Sequence, residues 1–451
     1  MAKANVSRIS IVALAVSASL FCLSANAAAS EKERITELEE RLDMLEVELI
    51  EAKDAASQVD RVKFSKSSPS PELISKDGRS TLEFKARIQT DFVSADELYT
   101  GSKREYEDSF NEASIRRIRF GLEGYFSNVW EYELELDFDG VSEVEVKDAN
   151  IAYKGWDNSQ LTLGFQKFAF GLEATGSSAH LAFLERASTD TFSPDRALGV
   201  QWHYVGNKYN VTLGYGVNAG FDDDDLNFKQ DVFNGRFTSA VIDNGEHLLH
   251  LGASALFVNN NEAIQETRYR ARPNTKASGR TIDTGKFDAE SLQHYGAELA
   301  YQHKNFLLQA EYVTGMADQV DEPDLSEVTV DSYYLQAIYT LTGEMWKYSG
   351  KKGKFKTVKP DNAISAGGYG AWELALRVDQ ANFDDVDADI YGGKKTDYVL
   401  GVNWYLENNL KAQFNYVHTT ADYKKPYEDI NGNMMYDQDA NIFQARLQFA
   451  F

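Results

Sequence analysis

Asn441-Ile442-Phe443-Gln444-Ala445-Arg446-Leu447-Gln448-Phe449-Ala450-Phe451 closes the chain with strict two-residue alternation. Phe443, Ala445, Leu447, Phe449 and Phe451 fall on one face of a strand, and Gln444, Arg446 and Gln448 on the other. A ribbon with a continuous apolar stripe on one side and Gln and Arg on the other suits a wall between lipid and water.

The opposite end is consistent with export. Met1 to Ala29 reads as a secretory signal peptide: Lys3 and Arg8, an apolar run from Ile9 to Leu23, then the small-x-small site Ala25-Asn26-Ala27. That run is too short for a mature membrane helix, which needs about 20 apolar residues. Cys22, the one cysteine, lies in this leader, so the mature chain has neither disulfides nor thiolate metal sites.

Composition narrows the class. The 451 residues include 24 Tyr, 26 Phe and 6 Trp, yet only 43% are hydrophobic. No stretch beyond the leader reads as a transmembrane helix. Many short alternating strands in an exported chain leave two readings, a secreted β-sandwich array or a transmembrane barrel. A net charge of -24 argues against nucleic acid as a partner. No linker divides the region beyond about residue 80, which favours one large closed sheet.

Before that sheet, residues 30–62 predict a coiled-coil helix. Ile35, Leu38, Leu42, Leu45, Leu49, Ala52, Ala56 and Val59 are spaced alternately by three and four, and Ser30 with Glu33 forms a capping box. So short a coil needs several chains held together by something else. Residues 63–79, with Ser65 to Pro71 at their centre, read as a flexible linker.

From residue 80 to 451 the expectation is an all-β, transmembrane antiparallel β-barrel of about sixteen strands. Short turn signals at Ser127-Asn128, Asp157-Asn158, Gly206-Asn207, Asn244-Gly245 and Asn408-Asn409 belong to one rim. Longer, charged connections at 94–110, 171–196, 222–228, 259–287, 317–328, 384–395 and 421–440 belong to the other. Trp130, Tyr132, Leu134 and Leu136 share a face, as do Leu374, Leu376 and Val378; their alternates are Glu131, Glu133, Glu135 and Asp137, then Glu373, Arg377 and Asp379. Charges at that density belong on water, either in a lumen or around a soluble sheet.

The terminal strand resembles the C-terminal signature of bacterial outer-membrane barrels, which favours the lumen. Several blocks then resemble the phosphate-selective porin O/P family. They are Arg116-Arg117-Ile118-Arg119-Phe120-Gly121, Lys147-Asp148-Ala149-Asn150, Gly164-Phe165-Gln166-Lys167-Phe168, Phe183-Leu184-Glu185-Arg186-Ala187, Gly370-Ala371-Trp372-Glu373 and Gly401-Val402-Asn403-Trp404. The resemblance implies a passive outer-membrane channel, usually trimeric, whose third loop enters a lumen lined by arginine and lysine. The partners it implies are small hydrophilic solutes and anions, outer-membrane lipid and lipopolysaccharide; it implies no cofactor.

A phosphate path needs a ladder of fixed cations, because a dehydrating dianion exchanges water for donors at each step. Arg268, Arg270 and Arg272 alternate in the 259–287 connection and predict a column on one side of an extended segment, unless the segment is a solvated outer loop. Arg116, Arg117, Arg119, Lys167, Arg186 and Arg196 complete the anion-contact candidates. Arg117 and Arg119 are expected near Glu135 and Asp137, as a charge-balanced lattice. Glu173, Glu185, Asp190 and Asp195 make the third loop acidic, which favours the alternative of a general or cation-leaning porin. The acidic groups Asp222 to Asp225 and Asp384 to Asp389 suggest an acidic outer mouth, and 429–439 lacks EF-hand spacing. Lys347, Lys351, Lys352, Lys354, Lys356 and Lys359 predict an anion-attracting inner mouth, a contact with the coil or a disordered turn. The seven histidines form no catalytic set, so an enzyme is not expected.

Overall fold

A computed structural model describes residues 31–57, 60–65, 68–100, 105–138, 144–217, 230–260, 266–320, 327–428 and 434–451. The leader, Ser30, Val59, the acidic run 222–225 and the 429–433 segment lie outside the described residues.

Antiparallel pairing of successive strands produces a closed barrel of 16 strands. They are β1 (Thr81–Thr100), β2 (Glu105–Phe126), β3 (Trp130–Asp137), β4 (Glu145–Tyr153), β5 (Ser159–Lys167), β6 (Arg196–Val205), β7 (Tyr209–Val217) and β8 (Gln230–Asp243). The ring continues with β9 (His247–Asn260), β10 (Phe287–His303), β11 (Phe306–Gln319), β12 (Val328–Thr340), β13 (Ala371–Asp385), β14 (Ile390–Tyr405), β15 (Leu410–Glu428) and β16 (Met434–Ala450). Closure runs from Asn441↔Asp96 to Ala450↔Arg87 between β16 and β1. Ala86 and Phe451 extend it by exchanging backbone hydrogen bonds of 3.1 and 3.0 Å. No edge remains for lipid to meet, which is what a spanning sheet requires.

Alternation sorts the side chains as the sequence predicts. Phe443 and Leu447 are exposed on the outer face, while Gln444, Arg446 and Gln448 are buried inside. Leu374 and Leu376 face out, and Glu373, Arg377 and Asp379 face in. Ser127 and Asn128, both at positive φ, make the tight turn between β2 and β3. The expected loops at 94–110, 384–395 and 421–440 shrink, because β1, β2 and β13 to β16 run on through these stretches. The apolar signal stops where the lipid stops, but ladder hydrogen bonding does not.

Two further expectations are corrected. The helix spans Glu31–Ser57 rather than 30–62, since Arg61–Ser65 is a strand. Within 63–79, Ser68–Ile74 pairs with the start of β1, from Glu72↔Glu83 to Ile74↔Thr81, so the stretch is sheet rather than flexible linker. In the helix, Leu38, Leu42, Leu45 and Leu49 are about half exposed, a leucine seam without cover.

Leu376→Arg places a charge on the lipid side of β13 and is expected to cost about 2–4 kcal/mol near the bilayer mid-plane. Urea unfolding in lipid vesicles measures this; a near-neutral result would place that face in water.

Candidate functional site: a one-sided passage through the lumen

Three connections fold into the barrel. L3 (168–195) carries the helix Leu172–Thr175 and the 3-10 turns Ser178–His180 and Ser188–Phe192. The described part of L5 (266–286) enters from the same rim, and T6 (341–370) enters from the turn rim, with a hairpin of Lys347–Ser349 against Lys354–Lys356. The disordered alternative for the lysine segment is therefore corrected. Tyr348 bonds His250, and the Gly350, Lys351 and Gly353 carbonyls accept from Asn210, His203 and Arg236. Trp346 donates its indole N–H to Glu373 at 2.6 Å.

The acidic residues of L3 act as fasteners. Glu185 receives both Arg116 Nε at 2.8 Å and Arg446 at 2.9 Å, while Arg446 also grips Asp91 and the Leu184 carbonyl. Burial pushes the Glu185 carboxyl up, but Arg116, Arg117 and Arg446 outweigh it and hold the group well below the usual carboxylate range. Glu173 pairs with Arg377, whose guanidinium lies 4.3 Å from the Phe183 ring. The Glu311 carboxylate on β11 accepts from the N–H groups of Leu172 and Glu173 at 2.5 and 2.9 Å. Gly171 must precede this turn: its φ is 66°, and a Cβ would lie 2.7 Å from Glu311 Oε1. Of the four acids of L3, Glu173 and Glu185 are thus tied to wall arginines, while Glu185, Asp190 and Asp195 still line the open space.

Asn274 pins L5 in the same way. Its amide N–H groups donate to Asp379 and Asp397 at 2.6 and 2.7 Å, and its oxygen accepts from Arg377 at 2.8 Å. Its backbone N–H donates to Asp397, and its carbonyl accepts from Gln444. Asp379 also receives Ser188 of L3, and Lys395 bridges Asp379 and Asp397. Both loops thus meet on one buried charged cluster of β13 and β14.

With L3, L5 and T6 packed against the later strands, open space is left along β1 to β6. An upper cavity of about 400 Å³ is lined by Arg116, Arg186, Arg268, Arg270, Arg272, Lys276 and Arg280, against Glu185 and Asp190. A lower cavity of about 740 Å³ lies beneath it, and Arg116, Arg186, Asp190 and Lys276 belong to both linings. The lower lining adds Arg87, Arg117, Arg119, Lys167 and Arg196 from the wall and Lys352 and Lys354 from T6.

Arg268, Arg270 and Arg272 line the cavity together, while Tyr269 and Ala271 between them are buried. Arg268 and Arg270 are exposed and Arg272 is half-buried, so the column faces open space from an anchored segment. Arg268 is tied to Asp283 through two hydrogen bonds. Burial, then Arg116 and Arg270, push the Arg272 guanidinium down. Arg116 and Arg117 both reach the lumen although adjacent, because a bulge leaves Arg116 between Gln89↔Arg117 and Thr90↔Ile115. Arg119 pairs with Glu135 and Asp137 as expected, at 2.9 and 2.7 Å. Arg117 does not; it bonds Gln89 at 2.8 Å and lies 4.0 Å from Glu185. Lys167 and Arg196 are cross-strand partners, and Arg196 pairs with Asp148 and Asp195. Arg186 donates to the Glu173 and Gly176 carbonyls and faces Asp190.

Sequence reasoning missed Asn274 and Arg87. Arg87 was legible in the alternation of Phe84-Lys85-Ala86-Arg87-Ile88; Asn274 had no signal, since its partners lie over a hundred positions away.

The profile of "Phosphate-selective porin O and P" matches residues 82–451. Porin O of Pseudomonas aeruginosa is 27% identical over 418 residues, covering 84% of this chain and 90% of that protein. An uncharacterized protein of Caulobacter vibrioides is 30% identical over 352 residues, covering 75% and 68%. Among solved structures, OmpT of Vibrio cholerae superposes with a TM-score of 0.50 at 15% identity, over 84% of this chain and all (100%) of that one, a likeness of fold.

Asn274→Ala removes L5's side-chain anchor. Trypsin is then expected to cut within 268–280 while the barrel keeps its heat-modifiable mobility on gels; equal resistance to trypsin in both proteins would show that the anchor is dispensable.

Proposed function

The chain belongs to the phosphate-selective porin O and P family, and on that premise we propose that its outer-membrane channel prefers anions, with phosphate as its principal solute. The carrying observation is the imbalance of the upper cavity, seven cationic side chains against two carboxylates, one of them committed to Arg446. Arg270 and Arg272 make no ion pair among the described residues, and neither do Arg87, Lys352 and Lys354. An entering oxyanion supplies the missing counter-charge, and guanidinium forks offer paired donors to it. Arg116 and Arg186 hand it to the lower cavity, where Arg87, Lys352 and Lys354 continue the path.

A cation-leaning porin draws support from the nine carboxylates of the lower lining. Each of them, however, has a cationic partner within 4.0 Å, so they present little free negative charge. That wall behaves as a stiffening lattice, and the unpaired cations set the sign. The same reading takes residues 1–29 as an export signal and the bare leucine seam of the helix as the place where three copies meet. With short turns toward the periplasm, T6 forms the inner mouth.

The zero-current potential of the purified protein under a KCl gradient tests the sign. Anion preference is expected, with block by phosphate; Arg270→Gln with Arg272→Gln is expected to weaken both several-fold. A cation-positive potential without phosphate block would end the proposal.

Burial, then Lys352 and Arg236, lower the Lys354 ammonium to about 8. Lys354 is therefore charged below that pH and loses its charge above it. Anion preference is expected to fall between pH 7 and 9, and Lys354→Gln to remove that step; an unchanged step would exclude Lys354 from the path.

A further inference from the structure

Behind the arginine column lies a third cavity, of about 350 Å³, between L3, L5 and strands β6 and β8 to β10. Its back is apolar: Val232, Leu256, Val258, Leu292 and the rings of Phe192 and Tyr269. Tyr269 is held by His294 at 2.9 Å, and His294 by the Phe192 carbonyl at 2.7 Å, so this aromatic wall is fixed. Thr191 and Arg268 line both this chamber and the upper cavity, so the two abut at these side chains.

The polar edge is incompletely satisfied. Thr267 is 93% buried (7% exposed) and lines the chamber, yet its hydroxyl has no partner among the described residues. Arg196, also in the lining, has a buried Nε without an acceptor. Buried donors without acceptors are rare and mark places where a ligand or water is accommodated. Arg268 meets Asp283 through Nε and one terminal nitrogen, leaving its other terminal nitrogen outside that pair.

We infer that this chamber is a binding site for organic anions with a compact apolar body, of the class of aryl or short-alkyl phosphate monoesters. The charged group lies at the junction with the arginine column, near Arg268 and the Thr267 hydroxyl, and the apolar body enters the chamber. An inorganic anion gains nothing from the apolar back, so the site distinguishes esters from free phosphate. The inference rests on the anion-selective reading for the ligand's entry, not for the shape of the chamber.

Chloride current through the purified protein in a planar bilayer is titrated with inorganic phosphate, methyl phosphate and phenyl phosphate. Phenyl phosphate is expected to block at about tenfold lower concentration than methyl phosphate, the gain from burying a ring rather than a methyl. Val258→Phe fills the chamber and is expected to erase that difference while leaving block by inorganic phosphate unchanged. Thr267→Val keeps the volume and is expected to weaken block by both esters while leaving block by inorganic phosphate unchanged; heat-modifiable mobility verifies that each variant folds. Equal block by the two esters in the native protein, or a difference that survives Val258→Phe, overturns the inference. Should the channel prove cation-selective, calorimetry of phenyl phosphate on the detergent-solubilised native and Val258→Phe proteins decides the chamber separately. Ester binding lost in the variant supports the site, and its absence from the native protein rejects it.

Discussion

Everything in the lumen depends on how buried charge is neutralised between wall and inserted loops. Arg377 and Arg446 are almost wholly buried, and an unpaired guanidinium at such depth is costly. Glu173 and Glu185 satisfy them and in doing so fix L3 in the bore. Breaking such a pair costs more than the pair contributes to stability, because one charge is left stranded. The clamp therefore specifies a position as much as it stabilises one.

That division of labour shapes the passage. Glu173 and Glu185 are engaged with wall arginines, whereas Arg270 and Arg272 make no ion pair among the described residues and Arg272 lies near the like charges of Arg116 and Arg270. The bore is asymmetric for the same reason. L3, L5 and T6 pack their apolar side chains against the later strands, with Phe183, Trp346 and Phe355 in one cluster and Phe168, Phe192 and Tyr269 in another. Open space is left along the wall of β1 to β6, where Arg119, Lys85 and Lys154 are paired with carboxylates on neighbouring strands.

Much of this was legible in the chain. Alternation such as Trp372-Glu373-Leu374 separates lipid from lumen, because a strand has period two and the two solvents differ sharply. The Arg268-Tyr269-Arg270-Ala271-Arg272 column was legible for the same reason. What eluded the sequence depends on distant partners. Glu173 and Glu185 of L3 looked like free charges until Arg377 and Arg446 claimed them, and the lysines of T6 looked like a rim turn until Tyr348 met His250. Arg116 and Arg117 cannot both face inward without a bulge, and nothing local announces one.

The alternation within 268–274 carries one more consequence. Cavity-lining arginines occupy one side of the segment, while its mounting, through Tyr269, Ala271 and Asn274, occupies the other. Recognition and attachment are thus written in separate letters of the same word. On the anion path proposed above, exchanging an arginine re-keys the lining without disturbing the frame, a route by which one scaffold diversifies its diet without relearning how to fold.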